Sequence, residues 1–316
     1  MMKSQIVKQW LAYFRLAGFL LACSQLVTTA YAEDVPVALS ATALTGNVTL
    51  VKVGDNNVVI ANFDDELVIV DGGKPTNASA LQNFIQHLFN NKSILALFNT
   101  HWHQEQVGLN YLLGKQGVRI IAHKNTQHWL STSQYNVWKN IKLNPLSTSA
   151  QPTQTFYETT QVTINGKTID AGYLPLAHTD SDIYIHFKDD NIIAVGGLIS
   201  NDHWPEIDWW SAGWFGGMLD GLETILALSN DKTIIVPAHG MPMSKKELQQ
   251  EYDMYVVLFE RVLTQLKQSK SPAEAVAENP TKGFHPNWTN ADAFVENAFR
   301  SLYGHLRGEK RMGLMP

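Results

Sequence analysis

Two histidines separated by one residue follow an apolar run in the first third of the chain. Residues 94–98 are all apolar and predict a buried strand, and Thr100-His101-Trp102-His103 follows them after one asparagine. Side chains at positions i and i+2 of a strand end point to the same side. Two imidazoles placed in this way suit one zinc ion, which binds neutral ring nitrogens. The sequence therefore predicts a metal site at the carboxyl end of a strand.

The first 32 residues are predicted to be a secretory signal peptide. Lys3, Lys8 and Arg15 form a basic leader, residues 16–27 form a mainly apolar stretch, and Ala30-Tyr31-Ala32 has the small-x-small pattern of a cleavage site. The apolar stretch is shorter than the roughly 20 residues that span a bilayer. We expect a periplasmic or secreted protein with no membrane insertion after cleavage, and an uncleaved anchor is the alternative.

The remaining residues, 33–316, are expected to form one domain with a helical C-terminal portion. The chain of 316 residues is 45% hydrophobic and 17% charged, as is typical of globular proteins, and its net charge of -5 comes without a basic patch. Nucleic acid is therefore not an expected partner, and a small-molecule substrate is. Cys23, the only cysteine, lies in the leader, so the domain has no disulfide or thiolate ligand. A lipid attached at Cys23 would instead make the protein a lipoprotein. The oligomeric state stays open.

Strand-like and helix-like patterns alternate in both halves of the domain. Residues 79–89 have an amphipathic helical pattern, and residues 162–169 predict a hairpin with an Asn-Gly turn. Ser244 and Glu247 form a capping box that opens a helix to about residue 268, and Ser271-Pro272 and Thr289 are expected to open two more. These patterns alone predict an α/β or α+β domain.

Two further histidines occupy positions where side chains often converge on a site. His178 precedes a predicted strand in the stretch Leu-Ala-His-Thr-Asp, and His239 follows one in Val-Pro-Ala-His-Gly. Junctions between strands and loops commonly carry functional side chains. Both histidines are therefore candidate metal ligands.

Five short motifs, taken in order, resemble those of the metallo-β-lactamase superfamily over nearly the whole predicted domain. They are Val70-Asp71-Gly72-Gly73, Thr100-His101-Trp102-His103, His178-Thr179, Gly196-Gly197 and Pro237-Ala238-His239-Gly240. The resemblance implies an α+β fold, namely a four-layer αββα sandwich.

The resemblance also implies which residues bind metal. His101, His103 and His178 match the three ligands of the family's first zinc. The second zinc of two-metal members is held by an Asp, a His, a bridging Asp and a last His. Those positions here are Glu105, Gln106, Gly197 and His239. Only the last is unchanged, and without a bridging carboxylate two cations would repel each other. We therefore expect one zinc ion and no second.

Several other residues receive roles from position or from the resemblance. Asp71 and Asp182 match positions that orient metal ligands. Asp202 and His203 follow the Gly197 position, and whether either replaces a lost ligand stays open, although we expect that His203 does not. Several tryptophans lie in the same segment and would form either the apolar wall of a substrate pocket or part of the hydrophobic core. They are Trp204, Trp209, Trp210 and Trp214.

The expected function is that of an exported zinc-dependent hydrolase acting on an ester, thioester, lactone or lactam bond. Glu105 is the candidate general base, since it keeps a carboxylate where the family has a metal-binding Asp. The alternative is a non-catalytic metal- or ligand-binding periplasmic protein that retains the fold. A structural partner of a membrane complex is a third possibility if Cys23 carries a lipid.

Overall fold

The computed structural model describes residues 37–311, with side chains described as far as residue 306. The predicted signal peptide, its cleavage site and Cys23 lie outside the described residues. Within the described part, no helix combines the length and apolarity needed to cross a membrane.

Fifteen strands are described, most of them short. In chain order, β1 to β8 are Leu39–Ala43, Val48–Val53, Asn56–Phe63, Glu66–Val70, Ser93–Phe98, Arg119–His123, Gln134–Asn136 and Ile141–Leu143. The strands β9 to β15 are Gln154–Phe156, Thr159–Ile164, Lys167–Tyr173, Ile183–Phe187, Ile192–Ser200, Ile234–His239 and Met243–Ser244.

Seven α-helices are described, and the longest two lie in the C-terminal third. In chain order, α1 to α7 are Ala78–Leu88, Asn110–Lys115, Lys124–Ser131, Phe215–Leu228, Lys245–Lys267, Pro272–Ala277 and Ala291–Arg311.

Most of the strands are hydrogen-bonded into one continuous sheet, which consists of two halves that meet between β14 and β3. The path runs β10-β11-β12-β13-β14-β3-β4-β5-β6-β9, with β2 also paired to β3. In its middle, β14 meets β3 through the pair His239 and Asn56. On either side of this junction the pairs β13-β14, β4-β5 and β5-β6 are parallel. The carboxyl ends of strands from both halves are thereby brought towards the junction.

Alternating side chains in the strands build three layers of core. In β3, Val58 and Ile60 belong to a cluster with the α1 residue Leu81, whereas Val59 and Ala61 belong to a second cluster. That second cluster also contains residues of β10 to β13, so it fills the space between the two halves of the sheet.

The same alternation holds in β13. Ile192 belongs to the central cluster, and Ile193 belongs to a third cluster with Phe215 of α4, Leu258 of α5 and Phe294 of α7. Three cores separate four layers in the order helix, sheet, sheet, helix. The predicted αββα sandwich is confirmed.

Predictions of local structure are confirmed where the residues that define a turn or a helix cap are close together in the sequence. The Asn-Gly hairpin joins β10 and β11, with positive φ angles of 49° at Asn165 and 74° at Gly166. The capping box of Ser244 and Glu247 is present at the start of α5. Two details were wrong: β14 includes His239 as its last residue, and α7 begins at Ala291 rather than at Thr289. The β7-β8 hairpin was not predicted.

Candidate metal centre

Three buried histidines converge from two loops at the junction of the sheet halves. His101 and His103 lie in the loop after β5, and His178 lies in the loop between β11 and β12. Their exposed fractions are 1%, 9% and 5%. One ring nitrogen from each lies within 4.8 Å of those of the other two. The structure thus gathers the three histidines that the sequence assigns to one metal.

A buried carboxylate positions His101 through a threonine. The backbone N–H of Thr100 donates to Asp71 Oδ1 at 2.8 Å, and the Thr100 hydroxyl donates to Asp71 Oδ2 at 2.8 Å. The oxygen of that hydroxyl lies 3.1 Å from His101 Nδ1 and can accept its proton. This arrangement places the proton of neutral His101 on Nδ1. His101 Nε2 is then an unprotonated nitrogen, buried and with no hydrogen-bond partner among the described residues.

His103 is oriented by a carboxylate that the sequence did not identify. Its Nε2 donates to Asp208 Oδ2 at 3.1 Å, and the Ser211 hydroxyl donates to the same oxygen at 2.7 Å. Burial opposes ionisation of Asp208, but the bonds and charge of His103, together with Ser211, lower the pKa of Asp208 to about 2. Asp208 is therefore ionised at neutral pH. A carboxylate on the second nitrogen fixes the ring of a metal-binding histidine.

His178 is oriented by a backbone carbonyl of the same segment. Its Nδ1 donates to the carbonyl oxygen of Glu206 at 2.7 Å, and its Nε2 lies 3.0 Å from His103 Nδ1. Burial and the neighbouring His103 lower the pKa of His178. Burial, His178 and His103 together lower the pKa of His101 well below its usual value.

The donor set fits a zinc ion. His101 Nε2, His103 Nδ1 and His178 Nε2 face one another, while the second nitrogen of each ring has its own partner. Lone pairs that are buried together without a donor are costly, and a cation removes that cost. Three imidazoles with one open position are the ligand set of a catalytic zinc site.

The second half of the centre offers far fewer donors. Glu105 Oε1 lies 3.7 Å from His103 Nδ1, and its side chain is 32% exposed. Gln106 is buried, and both polar atoms of its amide lack a hydrogen-bond partner within the part of the chain that is described. A Cβ atom added to Gly197 would lie 2.5 Å from Cδ2 of His178, so the imidazole occupies the space that a bridging carboxylate needs.

His239 lies apart from the three clustered histidines. Its Nδ1 is 3.2 Å from the carbonyl oxygen of Asp55, and its ring centroid is 5.4 Å from that of His203. His203 Nδ1 is in turn 2.6 Å from Asp202 Oδ1. Glu105, Gln106, Gly197, His203 and His239 all line the same cavity as His101 and His178.

Asp182 organises the loop of His178. Its Oδ2 accepts the backbone N–H of Thr179 at 2.6 Å, and its Oδ1 accepts the Thr179 hydroxyl at 3.0 Å. Burial raises the pKa of Asp182 to about 8 and that of Asp71 to about 7, against the lowering effect of their bonds to Thr179 and Thr100. The two carboxyl groups act on the residue beside a histidine rather than on the imidazole itself.

The metal cavity has a volume of about 540 Å³, which suits a small organic molecule. Trp209 and Trp210 form part of its wall, together with Trp138 of the β7-β8 turn. Trp204 also borders the cavity but is a buried core residue, and Trp214 stacks on His305. The aromatic segment is therefore partly cavity wall and partly core.

Comparison with known proteins gives one family. A model described as the metallo-β-lactamase superfamily matches residues 51–239. Comparison with proteins of curated function gives no significant match.

Solved structures share the fold at low sequence identity. A metallo-β-lactamase from Pontibacter korlensis has a TM-score of 0.56 and 16% identity, covering 69% of this chain and 99% of its own. The DIM-1 metallo-β-lactamase has a TM-score of 0.55 and 16% identity, covering 69% of this chain and 96% of its own. The stereoselective inverting sec-alkylsulfatase Pisa1 from Pseudomonas sp. has a TM-score of 0.65 and 15% identity. That match covers 88% of this chain but 52% of the sulfatase, so the chain spans about half of that protein.

Proposed function

Because the chain belongs to the metallo-β-lactamase superfamily, we propose that it is a metal-dependent hydrolase with one zinc ion held by His101, His103 and His178. The observation that carries the proposal is the group of three buried nitrogens whose rings are each fixed by a separate partner. Such fixed rings hold a cation without having to reorganise first.

Zinc in this site would supply Lewis acidity, which polarises the oxygen of a scissile bond and lowers the pKa of water. Glu105 supplies a carboxylate at the edge of the metal cavity, 3.7 Å from a ligand nitrogen. We assign it the role of general base, which takes a proton from the water that attacks the substrate. Its partial exposure allows that proton to leave to solvent.

The proposal extends to one metal rather than two. Gln106 supplies a neutral amide, Gly197 supplies no side chain, and His178 fills the space next to Gly197. His239 is the one histidine that remains of the family's second metal site, and its Nδ1 lies within hydrogen-bond distance of the backbone carbonyl oxygen of Asp55. One histidine and one carboxylate are a weak site for a second divalent ion.

The bond cleaved is proposed to be an ester, thioester, lactone or lactam, in a protein that is exported after cleavage of residues 1–32. The longer match to the alkylsulfatase adds sulfate esters to the bonds to be tested, because it extends over more of this chain than the β-lactamase matches do.

The experiment is elemental analysis of purified protein followed by an activity screen. The expected result is one zinc per chain and turnover of at least one bond class, abolished by a chelator and restored by zinc. Zinc binding without turnover across esters, thioesters, lactones, lactams and sulfate esters would support the alternative of a binding protein, which the loss of second-site ligands favours. Intact mass of exported protein tests cleavage after Ala32, and a lipid-bearing chain that begins at Cys23 would overturn it.

A further inference from the structure

A second cavity lies directly beside the metal cavity. It has a volume of about 580 Å³, and Trp138, Trp209 and Arg300 line both cavities. We call this second cavity the tail groove; its walls include those three residues with Leu266, Pro272 and Phe299. Since these three residues line both cavities, the two cavities adjoin each other at those side chains.

The shared wall is made of aromatic rings and one fixed guanidinium. The rings of Trp138 and Trp209 meet edge to face with centroids 5.7 Å apart. The guanidinium of Arg300 lies 5.8 Å from the centre of the Trp209 ring and donates to Glu296 Oε1 at 2.7 and 2.9 Å. The Arg300 side chain therefore lies at the border beside the Trp209 ring, and its charge is paired with that of Glu296 on the same helix.

Helices of the C-terminal third supply the apolar side of the tail groove. Leu266 comes from the end of α5, Pro272 begins α6, and Phe299 lies on α7. A groove of this composition gains free energy by removing an apolar ligand surface from water, roughly in proportion to the area buried. Its volume is in the range of ligand pockets.

We propose that the tail groove binds the linear alkyl or acyl chain of an ester whose scissile bond lies in the metal cavity. This inference rests on the proposed hydrolase function and adds its substrate class. Adjacency to the metal cavity favours part of a substrate over a separate partner, because a chain that extends from the metal cavity past Trp209 reaches the residues around Leu266.

The catalytic test uses zinc-loaded full chain and p-nitrophenyl acetate, butyrate and octanoate, each below its aggregation concentration. A methylene that becomes fully buried is worth up to about fourfold in kcat/KM, from the transfer free energy of one CH₂ group. We expect kcat/KM to rise at each step of the series. Metal-dependent hydrolysis with the same kcat/KM for all three esters would overturn the tail groove and leave the proposed function standing.

A binding test separates failure of the groove from failure of the enzyme. Calorimetry with butanoate, hexanoate and octanoate measures affinity without turnover, and affinity should rise along the series. If none of the three esters is hydrolysed but this rise is seen, the ester part of the proposed function fails and the groove is supported. Equal affinities for the three acids would overturn the groove.

Two variants and one control locate the effect. Leu266→Gln changes a partly exposed residue that lines the tail groove but not the metal cavity, and Trp138→Ala removes one of the two aromatic rings at the shared border. Both should flatten the rise in kcat/KM and in affinity with chain length. Tyr135→Ala is the matched control, since Tyr135 is 54% exposed on the same hairpin as Trp138 and lies outside both cavities as described. The proposal would be overturned if kcat/KM and affinity still rose with acyl chain length in Leu266→Gln and Trp138→Ala. It would also be overturned if this increase were lost in Tyr135→Ala.

Discussion

The two halves of the metal centre differ in how firmly the fold holds their side chains. In the first half, His101, His103 and His178 are each anchored through the ring nitrogen that does not face the centre. In the second half, the Gln106 amide is buried without a described partner, and Gly197 contributes no side chain. Anchored ligands bind a cation without first having to orient their rings, so the first half is better organised to bind a metal ion than the second.

The difference between the halves also has a steric origin. His178 belongs to the first half, yet its ring packs against Gly197 of the second, so closely that a Cβ atom on residue 197 would lie 2.5 Å from His178 Cδ2. A carboxylate side chain at position 197 would therefore displace His178, a proposed ligand of the first site. The two halves are coupled, and a gain in one is expected to be a loss in the other.

Removing a ligand from each half tests the comparison most strongly. His103→Ala should lower zinc affinity by more than about 100-fold, since loss of a mere orienting partner already costs about 10- to 100-fold. His239→Ala should leave one zinc per chain. Equilibrium dialysis followed by elemental analysis measures both, and two zinc ions in the unmodified protein, or equal losses in the two variants, would contradict the distinction drawn between the halves.

Glu105→Gln tests whether the second half keeps a catalytic group. The amide retains size and hydrogen bonding but cannot accept the proton, so the rate should fall by about 10²- to 10⁴-fold. Zinc content should stay at one per chain, because Glu105 lies outside the three-histidine group. Glu260→Gln, on an exposed position of α5, is the control. Unchanged turnover in Glu105→Gln would remove this residue from the mechanism.

Asp208→Asn tests whether anchoring matters in the first half. The variant keeps the shape but loses the charge that faces His103, and zinc affinity should fall by about 10- to 100-fold. Asp189→Asn is the control, since Asp189 is a surface carboxylate paired with Lys167. Competition with a chromophoric chelator gives both affinities. The same affinity in Asp208→Asn as in the control would show that Asp208 does not orient the ligand.

Asp71→Asn tests a property other than metal binding or rate, namely the pH dependence of stability. Burial raises the pKa of Asp71 from 3.8 to about 7, so the folded state holds this proton more tightly than the unfolded chain does. The resulting stabilisation is complete below pH 3.8 and is lost as the pH rises through about 7. Asparagine also tolerates the positive φ of 65° at this position.

Urea unfolding of metal-free protein from pH 4 to pH 8 measures this effect. The free energy of unfolding of the unmodified protein should fall relative to that of Asp71→Asn as the pH rises, by at most about 1.4 kcal/mol per pH unit for one proton. The lowered pKa values of His101, His178 and His239 act in the opposite direction, but both proteins share them. Parallel curves for the two proteins would contradict the assignment to Asp71.

Sequence by itself determined the features that neighbouring residues encode. The histidine pair after the apolar run, the Asn-Gly hairpin and the capping box of α5 each depend on spacing within a few residues. Family motifs in order gave the αββα fold and the three histidines that the structure gathers. Signal cleavage and export remain predictions from the leader.

Tertiary structure alone decided what depends on residues far apart in the chain. Asp208 is 105 positions from His103, and an isolated aspartate among tryptophans carries no local signal of its role. The packing of His178 on Gly197 and the tail groove between the β7-β8 hairpin and the C-terminal helices are likewise long-range. Periodicity shows which face of an element is buried, but not which distant side chain it meets, because that contact is fixed only when the layers pack.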